Sequence, residues 1–247
     1  MNIAGLPIGP DQPVRVICEM SNNHNGDFGL AREIIAAAKD AGADVMKFQA
    51  YSPDELIQLR GEGAVPAAWQ ADYPTMRALY GKAQTPHTWL PRLAAYCNEA
   101  GLPWFSSVFG IGSLAVLEAI ECPTYKLAAL DHGKRKLLQA VLATGKPLVR
   151  SCGLEQRPAG PGIWLYAPPG YPQPRVSLPG PMRRYHGFSY HGTDPTIPLM
   201  AATLGASVIE CHVQLDDVPS ELEANVSLTV SQLADLVASI RRMEEWR

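Results

Sequence analysis

Three groups of residues in this chain have types and spacings that could do chemistry. Two lysines, Lys47 and Lys126, lie inside the apolar runs VMKFQA and TYKLAAL. A lysine there is costly unless its ammonium meets an anion or leaves the core. The two therefore point to an anionic ligand, or else to structural ion pairs with carboxylates such as Glu19 or Asp131. Two histidines, His191 and His212, follow similar runs, GFSY and VIEC. Two imidazoles with water and ligand oxygens make an open site for Mn2+, Mg2+, Fe2+ or Zn2+, while each alone would be an ordinary hydrogen-bonded rim residue. The third group is SNNHNG at 21–26, between VRVICEM and the helical-looking GLAREIIAAAKDAG. An Asx turn and a helix cap would use one asparagine and Gly26 and leave the other polar groups unexplained. His24 could join the other histidines as a third ligand, or hydrogen-bond with the amides around it.

The elements that must hold these residues recur. An amphipathic stretch, a Gly or Pro turn and a β-rich apolar run repeat, as in AAAKDAGADVMKFQA and MAATLGASVIECHVQL. Alternation of that kind marks βα units around a parallel sheet covered on both faces. Strand-like runs fall at 14–20, 45–51, 103–109, 124–130, 147–152, 162–167, 186–191 and 207–215. Eight such runs in one α/β chain predict a (β/α)8 TIM barrel over residues 1–247 as a single domain. No GxGxxG opens the first helix, which lowers the case for an open dinucleotide-binding sheet. Helices are expected to be shortened or missing after strands five and six, where LEQRPAGP and PPGYPQPRVSLPGPMRRY are too rich in Pro and Gly. The thinned flank is a candidate contact for a homodimer, or a plain surface loop.

In such a barrel the chemistry gathers at the carboxyl ends of the strands. Glu19 ends strand one, Lys47 and Gln49 share a side of strand two, and Ser106 and Ser107 end strand three. Lys126 sits in strand four, with Asp131 and His132 after it, Ser151 ends strand five, and Tyr171 follows strand six. Ser189 and His191 share parity on strand seven, as do Glu210 and His212 on strand eight. His87 belongs to a helix start, TPHTW, and His132 and His186 read as surface or loop residues.

Composition narrows the class. A net charge of −3 with scattered Lys and Arg argues against a nucleic-acid or anionic-membrane binder. The five cysteines, Cys18, Cys97, Cys122, Cys152 and Cys211, are odd in number and never spaced as CxxC, so reduced buried thiols are expected. MNIAGLPIGPDQ lacks a basic region followed by an apolar stretch, and no apolar run approaches the ~20 residues that span a bilayer. A cytoplasmic protein is the expectation.

ICEMSNNHNGDFGLAREIIAAAKDAGADVMKFQ strongly resembles the opening of the sialic acid synthase (N-acetylneuraminate synthase) family. TYKLAALD, PLVRSCG, GFSYHGTD, LGASVIECHVQLD and EANVSL follow in the family's order, so the resemblance covers about residues 14–240. It implies the family's catalytic barrel without its C-terminal antifreeze-like domain. The implied reaction joins phosphoenolpyruvate to the open-chain aldehyde of a sugar: the enolpyruvyl C3 attacks the aldehyde, water adds at C2, and phosphate leaves by C–O cleavage. A divalent ion, Mn2+ first and Mg2+ or another second, would be held by His191 and His212.

The resemblance further implies that Lys47, Lys126, Ser107, Ser151 and Ser189 cradle phosphoenolpyruvate. Glu19, Gln49, Asp131 and Tyr171 would line the acceptor side, and Glu223 stands at an acidic sugar contact. Glu19, Lys47, Gln49, Lys126 and Asp131 form the expected catalytic set, with Asn23 and His24 part of a polar floor that touches substrate. Four positions depart from the family pattern. Ala129 replaces a phosphate-side serine and Pro169 an asparagine, while Tyr190 and Cys211 replace an acid and a lysine before the two histidines. The expected acceptor is therefore a sugar or sugar-like aldehyde without the usual N-acyl recognition. The alternatives are lysine-dependent aldolase or lyase chemistry on a keto acid, and a non-catalytic barrel subunit.

Overall fold

A computed structural model describes residues 1–131, 133–153, 158–173, 176–178, 182 and 184–246. Eight parallel strands close into a barrel. They are β1 (Arg15–Glu19), β2 (Val45–Ala50), β3 (Trp104–Val108), β4 (Tyr125–Leu127), β5 (Leu148–Cys152), β6 (Ile163–Tyr166), β7 (Gly187–Tyr190) and β8 (Val208–Gln214). Each pairs with the next, and β8 pairs with both β7 and β1, which closes the ring. A ninth short strand, β9 (Ser227–Thr229), extends β8 in parallel, with His212 opposite Ser227.

Alternation sorts each strand into two faces. Odd-numbered residues of β1 and β2 turn inward, which places Glu19 and Lys47 side by side in register. Cys18, Met46 and Phe48 turn outward against helices, and all three are fully buried. The outer layer begins with α1 (Phe28–Asp40). Asp27 caps it by accepting from the Gly29 and Leu30 amides, and Ala31, Ile34, Ile35 and Ala38 form its buried stripe. Each isoleucine so buried contributes about 1.5–3 kcal/mol relative to an exposed one.

Three helices stand between β2 and β3: α2 (Pro53–Arg60), α3 (Met76–Ala83) and α4 (Leu90–Ala100). Glu55 of α2 completes a capping box with Ser52 and also accepts from the Ser113 amide at the start of α5 (Ile111–Ala119). The ring continues with α6 (Arg135–Ala143), α7 (Thr196–Thr203) and α8 (Val230–Glu244), the last opened by a Thr229–Gln232 capping box.

As expected from the Pro- and Gly-rich segments, no helix occurs between β5 and β6 or between β6 and β7 among the described residues. The outward side chains there are still covered. Tyr166 donates to the Ser177 carbonyl at 3.0 Å, Tyr185 packs against Tyr166, and the Arg150 guanidinium stacks on Trp164. The first half of LEQRPAGP, and His132, lie outside the described residues. One element escaped the sequence reading: a two-stranded hairpin pairs Asn2–Ile3 with Leu6–Pro7. The Ala4 amide, at its turn, donates to Thr124 Oγ1, next to the amino end of β4.

All five cysteines are buried and free. Burial raises their thiols, Cys97 and Cys122 to about 12, so none is a reactive thiolate.

Candidate active site at the carboxyl end of the barrel

Inside the barrel the strand-end charges meet in one network. Lys47 contacts the Glu19 carboxylate, donates to Ser107 Oγ at 3.1 Å, and lies 3.7 Å from Glu210. Lys126 donates to both Glu210 oxygens at 2.7 and 2.8 Å, and Ser189 Oγ donates to Glu210 Oε1 at 2.8 Å. Both lysines are 3% exposed. Burial pushes the Lys47 ammonium down to about 7, against the opposing pull of Glu210. Burial would raise the Glu210 carboxyl, but Lys126 and then Lys47 outweigh it and hold it well below the usual carboxylate range. Both lysines are ion-paired, Lys47 with Glu19 and Lys126 with Glu210 rather than Asp131, and Glu210 is the hub. Its spacing two residues before His212 was the available signal. Ser151 Oγ, beside this network on β5, is buried and has no hydrogen-bond partner among the described residues.

The amide-rich loop after β1 stitches the first strand's end to the loop after the last. Asn23 Nδ2 donates to the Val213 carbonyl at 2.7 Å and to Ser227 Oγ at 3.0 Å. Asn22 Oδ1 accepts from Ser220 Oγ, while Asn25 donates to the Pro219 carbonyl and accepts from the Glu221 amide at 2.9 Å. Ser21 Oγ accepts from Gln49, and the Ser21 amide donates to Glu19. His24 is fully buried. Its Nδ1 accepts from the Gly26 amide at 3.0 Å, and its Nε2 lies 3.1 Å from Thr85 Oγ1. Burial lowers this imidazole to about 4, so it stays neutral. Asn23 and His24, expected to touch substrate, are therefore engaged as frame, with only Asn23 Oδ1 left without a partner among the described residues.

What this frame positions is a second cluster. Glu223 accepts from Tyr171 Oη at one oxygen and from His212 Nδ1 at the other, 3.2 Å away. Burial opposes its ionisation, but His212 and Tyr171 hold the carboxyl down to about 2. The His191 and His212 rings lie edge to face with centroids 5.2 Å apart, and the Tyr171 ring is 5.1 Å from His191. Burial, and then His212, lower His191 to about 3, which keeps it neutral. Asp131, expected in the catalytic set on the acceptor side, is ion-paired. Arg60, at the end of α2, grips both of its oxygens at 3.2 and 2.9 Å. Nothing in the spacing of Arg60 announced that pairing, nor the contact of Gln173 with His191.

His191 and His212 are the side chains of this cluster that could hold a divalent cation, and Nε2 is the ring position each leaves open. Both Nδ1 atoms are engaged, by Gln173 and by Glu223, and Nε2 is the nitrogen without a hydrogen bond among the described residues. No cluster of three or more His, Cys, Asp or Glu ligands occurs among the described residues, so the remaining positions would fall to ligand oxygens or water.

A closed α/β barrel with a buried lysine–carboxylate network and a pair of histidines at one mouth defines the class. Within that class, the NeuB family model matches residues 34–158 and 181–247, and the chain belongs to the NeuB family. It is 28% identical to the pseudaminic acid synthase of Helicobacter pylori, over 94% of this chain and 74% of that one. It is also 28% identical to the human N-acetylneuraminate-9-phosphate synthase, over 97% and 73%. The crystal structure of an N-acetylneuraminic acid (sialic acid) synthetase from Leptospira borgpetersenii, in complex with citrate, superposes with a TM-score of 0.84. At 24% identity it covers 100% of this chain and 89% of that one, and it supports the barrel fold.

Proposed function

We propose that the protein joins phosphoenolpyruvate to a sugar or sugar-like aldehyde, forming one C–C bond and releasing inorganic phosphate. The observation that carries this reading is a buried cluster that can cradle an anion: Lys47 on β2 and Lys126 on β4 flank Ser107 of β3, with Ser189 and the Ser151 hydroxyl, which has no partner among the described residues. Membership of the NeuB family supports it. In the reading, C3 of the enolpyruvyl group forms the bond to the aldehyde carbon, whose oxygen gains a proton. Water adds at C2, and the C2–O bond to phosphate breaks, leaving the α-keto acid.

Lys47 and Lys126 hold the phosphate and carboxylate charge, and the serine hydroxyls orient the oxygens. Glu19, in contact with Lys47, takes the proton that the attacking water gives up. Tyr171 and Glu223 orient the acceptor's hydroxyl groups at the opposite side. A divalent ion held by His191 and His212, Mn2+ first among candidates, would polarise the aldehyde as a Lewis acid.

Titration calorimetry with phosphoenolpyruvate, with and without Mn2+, tests the donor before any acceptor is known. Saturable binding that strengthens with Mn2+ and weakens in His212→Ala is expected. No binding under any condition overturns the donor assignment.

A second reading keeps the barrel and uses Lys47, whose amine burial depresses to about 7, as a Schiff-base nucleophile on a keto acid. Borohydride reduction in the presence of pyruvate would then leave a covalent adduct on Lys47. Full activity after that treatment removes this reading.

A further inference from the structure

The two histidines are supported in opposite senses. Glu223 can only accept at His212, so the His212 Nδ1 carries a proton, and in the neutral ring its Nε2 carries a lone pair. At His191 the partner is an amide, and its orientation is fixed by two backbone groups. The Gln173 Nε2 donates to the Pro168 carbonyl at 2.7 Å, and its Oε1 accepts from the His191 amide at 3.1 Å. Exchanging the amide's oxygen and nitrogen would set oxygen against oxygen at Pro168 and N–H against N–H at His191. The Gln173 amide nitrogen therefore faces His191 Nδ1 at 3.1 Å as a donor, and Nδ1 must accept. The residue itself is pinned, because the Gln173 backbone amide donates to the His191 carbonyl at 2.8 Å and its side chain is buried.

We propose that Gln173 is a positioning residue that holds His191 in the Nε2–H tautomer, so that a cation can join His191 only by giving up the Gln173 contact. A ligating histidine ordinarily hands its second nitrogen's proton to an acceptor, which leaves the first nitrogen bare. His212 satisfies that pattern through Glu223, and His191 has it reversed. With both rings neutral, the pair is thus one acceptor and one donor. His191 presents an Nε2–H able to bond a carbonyl oxygen, and the cation affinity of the site lies below that of a symmetric carboxylate-backed pair. The tautomer follows from the hydrogen bonds alone; the consequence for cations rests on the metal reading above.

The test uses the whole protein labelled with 15N-histidine, and Mn2+ as the only added metal. Long-range 1H–15N spectra at neutral pH, with His191 assigned by its loss in His191→Asn, report the tautomer directly. The expected result is a proton on His191 Nε2 in the wild type. Gln173→Met, of similar length without a donor, should release that preference, and Gln173→Glu should move the proton to Nδ1. Mn2+ affinity, read by its electron-spin signal, should then rise about 10–100-fold in Gln173→Glu, the usual scale for a partner behind a ligating histidine. A merely structural role for Gln173 would lower stability without moving the ring proton. An Nδ1–H tautomer in the wild type overturns the proposal, as does Mn2+ binding that is unchanged or weaker in Gln173→Glu. If Mn2+ binds none of the proteins while the wild-type proton sits on Nε2, the metal reading fails and the tautomer assignment stands.

Discussion

With its ammonium brought down to about 7 by burial, Lys47 should make ligand binding and stability respond to pH in opposite directions. The charged form holds an anion, so the affinity for phosphoenolpyruvate should fall as pH rises through about 7. The unfolded chain keeps its lysine protonated up to about 10.4. Between about 7 and that value the unfolded state therefore binds more protons, and the folding penalty of Lys47 is progressively relieved. Calorimetry at pH 6 and pH 8.5, with urea unfolding across pH 7 to 10 on the same samples, should show the two trends crossing. Lys47→Met should flatten both. An affinity that rises with pH over that range would show that Lys47 is not the anion's partner. The residue types of this network were legible, since Lys47, Lys126, Ser189 and Glu19 sit in apolar runs that could not leave them unpaired. Their pairing was not, because the meeting of Lys126 with Glu210, 84 positions apart, depends on how the barrel closes.

At the scale of elements, the amide-rich loop acts as a clasp on the segment that carries Glu223. Asn25 occupies a left-handed conformation at φ 50°, which both asparagine and glycine tolerate. Asn25→Gly keeps that backbone and deletes the bonds to Pro219 and Glu221. Each lost bond costs about 0.5–1.5 kcal/mol, and the acceptor KM should rise more than kcat falls in steady-state assays. An unchanged KM would argue that Glu223 is held without the clasp. Between β7 and β8 the fit is closer. A Cβ on Gly187 would come within 2.2 Å of the Val208 carbonyl oxygen. Gly187→Ala should cost about 1–3 kcal/mol, as overpacking does, and the loss should appear as a lower midpoint in thermal unfolding.

The eight strands themselves were readable because strands covered on both faces become continuous apolar runs. The amino-terminal hairpin was not, since two-residue strands carry no period. His24 misled for a chemical reason: an imidazole suits a ligand and a buried double hydrogen bond equally well, and only the enclosure by Thr85 and Trp89 decides.

For the molecule as a whole, the interior carboxylates set the acid limit. Glu223 titrates at about 2 in the fold, and Glu210 also lies below the usual range. Unfolded glutamates titrate near 4.3. Their contribution is therefore fully present above that value and is lost as pH falls toward 2. Thermal midpoints should drop steeply between pH 4.5 and 2.5, and Glu223→Gln should make that drop shallower.

The bonds from Asn23 to Val213 and Ser227 span 190 and 204 positions of the chain. A ribosome delivers residue 23 long before residue 227, so β1 emerges with one edge unpaired and waits for β8. The buried polar groups of the mouth come from both sides of that seam, with Glu19 and Lys47 early and Glu210, His212 and Glu223 late. A nascent chain can hence bury its first helices against a growing sheet while having no chemistry at all. A transcript truncated before β8 would encode a half-open sheet.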